Sequence, residues 1–246
     1  MAYNDYLNDV SGYLSEGNLS DITVKFGEQI WKTHKMLLCS HSHWFRKAIT
    51  GEFEEKYSKS ILLEDDPEFA DAIDCMITYL YEATYNPGKY GKVEPLVHAQ
   101  VFVIADKYHC PSLFEMARIN LMNTVRTIQC EDWVKIAELV YTYTTSEVSE
   151  HMEVRDEVID AATSQPDLLS NILGVNTIAE LLRSNAELSA DLLMAALYNP
   201  GGQYGEDYFI FTCDHCQYIH SGSALCANVQ TFLNNPRVYS LRWISH

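Results

Sequence analysis

Residues 20–45 constrain this chain more than any other stretch. Ile22, Val24 and Phe26 alternate with polar neighbours, the period-two signature of a strand buried on one face. Gly27-Glu28 supplies a tight turn, and Ile30 and Trp31 restart apolar character on a returning strand. Beyond His34-Lys35 the apolar positions move to Leu37 and Leu38, then to Trp44 and Phe45, a helical spacing interrupted by a polar turn. A hairpin that runs straight into helix points to an α+β fold, with a small sheet lying against helices.

Strand and helix signals continue to about residue 125. Asp65-Asp66-Pro67-Glu68-Phe69 opens a helix, with acids where the macrodipole favours them and Pro67 in an early helical position. Phe69, Ile73, Met76, Ile77, Leu80 and Tyr81 recur at three and four residues and mark one packed face. Asn86-Pro87-Gly88 reads as a loop, and Pro111-Ser112-Leu113 introduces a further helix carrying Leu113, Met116, Ala117 and Leu121. Asp21, the dipeptide His34-Lys35, Leu38, Ser42 and Phe45 resemble the opening of a BTB/POZ domain. Ser60 to Glu64 resembles that family's third strand, Tyr79-Leu80-Tyr81 its Y-L-Y element, and Ala105-Asp106-Lys107-Tyr108 its A-D-K-Y helix. The pieces occur in the family's order over residues 20–125. The resemblance implies a BTB/POZ fold, a small sheet flanked by a helical cluster, which binds proteins and carries no chemistry of its own.

A chain of 246 residues, 47% apolar, can bury a sizeable core. No run of eighteen apolar residues exists, so no membrane span is expected. The first residues carry acids and no basic cluster, unlike a secretory signal or transit peptide, so the expected location is cytoplasm or nucleus. The seven cysteines are odd in number, and Cys39, Cys75, Cys110 and Cys130 stand singly, which fits free thiols in a reducing compartment. Net charge is −17, with 18 acids against 11 bases in residues 1–125 and 16 against 6 in residues 126–246. Such a surface repels phosphate backbones, and no basic patch interrupts it, so direct nucleic-acid binding is not expected.

Residues 126–199 read as a helical extension. Trp133, Ile136, Ala137, Val140 and Tyr141 form one stripe, and Met152, Val158 and Ile159 continue it as far as Gln165-Pro166. Leu168, Leu169, Ile172 and Leu173 precede a stop at Gly174, and Asn176-Thr177 can cap a last helix in which leucines repeat from Leu181 to Leu197 as core. The arrangement resembles the helical extensions of small fungal BTB proteins. Asn199–Gln203 is a linker, and residues 203–246 read as a small β-ribbon containing Cys213-x2-Cys216-x3-His220-x5-Cys226. Two thiolates at this spacing can share one tetrahedral Zn²⁺, with Cys226 and either His220 or His215 completing a structural site. A ribbon without metal and a redox-active Cys-x2-Cys are the alternatives.

No Gly-rich phosphate loop or nucleophile elbow is present, and no catalytic constellation emerges. His34, His41 and His43 could suggest metal. The family resemblance instead makes His34 a packed residue with Asp21 as its hydrogen-bonding neighbour. The resemblance further implies dimerisation through N-terminal elements, where Tyr3, Tyr6, Leu7, Val10, Tyr13 and Leu14 suit an amphipathic helix over residues 1–19. It also implies either an oligomerising scaffold or a substrate adaptor of a cullin-RING ubiquitin ligase, with Phe53, Tyr57, Val97 and His98 as contact candidates if a cullin binds. The alternative is a transcriptional regulator whose dimer recruits corepressors without touching DNA.

Overall fold

The computed structural model describes residues 10–51, 58–164, 166–175 and 177–198, with three later strands at Tyr208–Cys213, Ile219–Ser223 and Tyr239–Ser240. Two compact units result, residues 1–158 and residues 159–246.

In the first unit residues 10–16 are helical (α1) and lead to β1 (Ile22–Phe26) and β2 (Gln29–Thr33), an antiparallel hairpin pairing Ile22 with Thr33 and Phe26 with Gln29. Gly27 makes the turn at φ +53°, a left-handed backbone that a side chain would strain. Ile22, Val24 and Phe26 are buried as their alternation requires. β2 differs from the expectation: Ile30 is 63% exposed, because β2 is an edge strand with only Thr33 buried. β3 (Ser60–Leu62) pairs in parallel on the other side of β1 and closes the sheet order β2-β1-β3.

α2 (Lys35–His41) and α3 (His43–Thr50) meet at Ser42, the polar turn in the apolar spacing. A 3-10 turn at Pro67–Phe69, capped by the Asp66 carboxylate on the Glu68 N–H, feeds α4 (Ala70–Glu82), whose predicted face is buried throughout. α5 (Glu94–Lys107) is the axis of the unit. Every residue from Val97 to Ala105 is buried, since α4, α6 (Pro111–Thr124) and α7 (Cys130–Tyr143) all pack against it. A helix that is apolar all round must be wrapped in this way.

The α7 stripe is buried as read, and the Trp133 indole donates to the Val158 carbonyl of α8 (Ser149–Thr163) at 2.7 Å. α8 departs from its expected stripe: Met152 is 46% exposed, while His151 and Arg155 are buried. Arg155 fits inside because its guanidinium donates to the Thr144 hydroxyl and carbonyl and stacks 4.6 Å from the Tyr141 ring.

In the second unit α9 (Pro166–Leu173) ends before Gly174. The leucine repeat expected as one helix is two, α10 (Ile178–Ser184) and α11 (Ala186–Tyr198). Asn185 divides them, its side chain accepting from the Leu188 N–H at 2.9 Å and capping α11. Thr177 is the N-cap of α10, but its side chain makes no capping bond. Leu168, Ile172, Leu181, Leu188 and Leu192 are core, whereas Leu173 and Leu193 are more than half exposed. β4 (Tyr208–Cys213) pairs antiparallel with β5 (Ile219–Ser223) and with β6 (Tyr239–Ser240).

Candidate interaction site

The residues that the opening motif singles out converge on two joints. At the first, the Asp21 carboxylate accepts the Lys35 N–H at 2.8 Å and so caps α2. His34 turns the other way. Its Nδ1 lies 2.9 Å from the Tyr81 hydroxyl, and its Nε2 lies 2.8 Å from the Asn18 carbonyl. A carbonyl can only accept, so Nε2 carries the hydrogen. The expected Asp21–His34 pair is therefore replaced by His34 tied to Tyr81 and Asn18, with Asp21 spent on the helix end. Burial pushes the Tyr81 phenol up to about 12, so this hydroxyl stays protonated.

At the second joint the buried Ser42 hydroxyl accepts from the Phe45 N–H at 3.0 Å and donates to the Tyr108 carbonyl at 2.6 Å. Phe45 stacks on the Tyr108 ring at 5.8 Å, and Trp44 meets both rings edge-on. Tyr108 then donates to Asp65, which also pairs with Lys107, so the end of α5 is bound to the chain leaving β3. Leu38 and Ala105 are fully buried side chains, while Asp106 and Lys107 are exposed. Burial raises the Tyr108 phenol and the Cys110 thiol, the latter to about 12. Both remain in their neutral forms, suited to packing.

The sequence pattern of the BTB/POZ domain family matches residues 11–125, the stretch that holds both joints. Residues 11–125 of this chain are a BTB/POZ domain. Among curated relatives the chain is 30% identical to mouse (Mus musculus) Kelch-like protein 41 over 102 residues, 41% of this chain and 15% of that protein. It is 26% identical to human (Homo sapiens) Kelch repeat and BTB domain-containing protein 4 over 117 residues, 48% of this chain and 20% of that protein. A third, mouse Kelch-like protein 8, is 25% identical over 156 residues, 56% of this chain and 24% of that protein. The chain thus spans at most about a quarter of the length of these relatives. A solved BTB domain of zebrafish PATZ1 aligns at TM-score 0.37 and 15% identity over 47% of this chain and 87% of that one. A protein-interaction role follows for the BTB/POZ domain.

Two of the contact candidates are corrected by their position in this domain. Val97 is fully buried and His98 is 2% exposed, because both side chains of α5 turn inward, under the helices packed on it. His98 is instead satisfied internally, 2.7 Å from the Tyr85 hydroxyl and 3.4 Å from the Glu94 carboxylate. Phe53 and Tyr57 lie outside the described residues, as do His215, Cys216 and Cys226. Cys213 ends β4 opposite Tyr239, and His220 lies in β5 opposite Phe211. Ser223, the last residue of β5, pairs with Tyr208, the first of β4. Among the described residues no group of three His, Cys, Asp or Glu side chains gathers to hold a metal ion, and no helix is long and apolar enough to cross a membrane.

Exposed apolar side chains mark a surface that sequence reasoning located only in part. Tyr13 is 41% exposed with its ring edge-on to His34, Leu19 is 81% exposed beside Asn18, and Met36 is 77% exposed two residues past His34. Val10 and Leu14 are half-buried, so α1 packs in part on its own domain, and among its described residues Tyr13 is the large apolar side chain left exposed. Tyr13 was legible in the helical spacing. Leu19 and Met36 carried no signal beyond being apolar among polar neighbours.

Proposed function

We propose that this chain is a non-catalytic adaptor that self-associates through its BTB/POZ domain and docks a cullin, delivering a substrate to a cullin-RING ubiquitin ligase. The observation that carries this reading is the BTB/POZ match over residues 11–125. The similarity to Kelch-like proteins supports it. Three large apolar side chains around His34 are costly to leave in water, at about 1 kcal/mol or more apiece, and suit a face shared with a second copy. Co-elution of the purified chain with the N-terminal region of a cullin on a sizing column tests the adaptor role. Separate elution of the two at micromolar concentration would refute it.

The terminal ribbon is proposed to be a zinc knuckle. Cys213 closes β4 and Cys216 follows three residues later in the sequence, a spacing at which two thiolates can share one tetrahedral ion. Metal analysis should find zinc bound to the intact chain and lost in Cys213→Ser. A metal-free ribbon is the contrary result.

A further inference from the structure

A groove lies between α5, the Pro67–Phe69 turn and α7. Its wider part encloses about 630 Å³ over a floor of Phe69, Val103, Ile104 and the Tyr143 ring. A narrower part of about 350 Å³ meets it at Tyr143 and reaches Glu138 on α7. The rim is acidic. Glu64, Asp66 and Glu68 are all exposed there, and Asp106 stands on the α5 side. Two lysines share the rim and both are paired: Lys107 with the Asp65 carboxylate and the Glu64 carbonyl, and the exposed Lys135 of the narrower part with Asp132 at 3.2 Å. Tyr143 is held edge-on against Phe69 at 5.2 Å and yet remains 44% exposed, an aromatic face open to the groove. Its phenol is raised by partial burial and by the carboxylates of Glu68, Asp66 and Asp65, so their field converges on this ring.

We propose that this groove docks a cationic, partly apolar segment of a partner protein, with arginine or lysine stems lying over Phe69 and Tyr143 and their charged heads meeting Glu64, Asp66 and Glu68. The chemistry is complementary on both counts: an aromatic ring attracts a cation across its face, and long basic side chains bury their methylenes while keeping the head in a polar rim. Other occupants fit poorly. A second copy of this chain brings a net charge of −17, and nucleic acids and acidic peptides are repelled in the same way. The inference rests on the interaction reading only in requiring a protein occupant, and does not depend on a cullin.

The test uses the full chain and a fluorescein-labelled peptide of mixed arginine, leucine and serine, followed by anisotropy, with a counterpart carrying glutamate in place of arginine. Saturable binding is expected for the arginine peptide alone. The triple variant Glu64→Gln, Asp66→Asn, Glu68→Gln should weaken it by about tenfold or more, as should Tyr143→Ala. Glu28→Gln, Glu82→Gln, Glu131→Gln changes the net charge equally on exposed acids elsewhere and should change affinity by less than about twofold. Equal weakening by both triples, or no saturable binding, overturns the groove. Cullin binding by the groove triple would then show that the adaptor reading stands without it, and loss of cullin binding in wild type would leave the peptide result untouched.

Discussion

Ser42 joins two elements through one hydroxyl, since it caps α3 and holds the end of α5 by the Tyr108 carbonyl. Ser42→Ala removes the cap and strands a buried carbonyl, so urea denaturation should show a loss of about 2 kcal/mol. Val97→Ala, at a fully buried side chain of α5, should cost a similar amount by leaving a cavity. His98 makes stability pH-dependent. Burial holds its imidazole below the ordinary value, against the opposing pull of the Glu94 carboxylate. The folded pKa is therefore below the unfolded one, near 6.5. Its contribution is present above that value and is lost as pH falls through the folded pKa. The stability gap between wild type and His98→Gln should shrink from pH 7.5 to pH 5, and a gap that widens contradicts this account. Leu38 and Phe45 were legible as structural residues from their apolar spacing, and Ser42 from the resemblance to the BTB/POZ opening. Val97 and His98 were misread as surface because one helix viewed alone does not reveal how many neighbours cover it.

Asp74 ties elements together at the next scale. It accepts from Trp31 of β2 at 3.0 Å, from Tyr90 at 2.9 Å and from Lys89 at 2.6 Å. Burial alone would raise this carboxyl, but the bonds from Lys89, Trp31 and Tyr90 outweigh it and hold the carboxyl below its usual value. The stability it confers is present above the ordinary carboxylate range and is lost on acidification through the lowered pKa. Arg155 does the same for the corner between α7 and α8, and it is the more deeply buried of the two. Arg155→Ala should cost about 3 kcal/mol in chemical denaturation, because the Thr144 carbonyl and hydroxyl lose a charged donor inside the unit. Element types were largely readable, since periodicity reports which face is buried. The edge position of β2 and the division at Asn185 were not. The first depends on which strand lies outermost, and the second on one side chain choosing a backbone N–H over continued helix.

The molecule as a whole combines an acidic surface with a few exposed apolar faces, a balance that favours selected partners over self-aggregation. Self-association through the His34 face should fail when a charge is placed there. Met36→Glu should lower the sedimentation-derived mass from dimer to monomer without shifting the melting temperature, and an unchanged mass would place the contact elsewhere. The BTB/POZ half was readable because its motifs recur in fixed order, whereas the partner leaves no comparable trace in the chain that binds it. The most direct test of the adaptor reading is calorimetric titration of the full chain with the N-terminal region of a cullin. The account predicts saturable binding at micromolar affinity or tighter, roughly −8 kcal/mol. No heat at those concentrations, with the two proteins eluting apart, would contradict it.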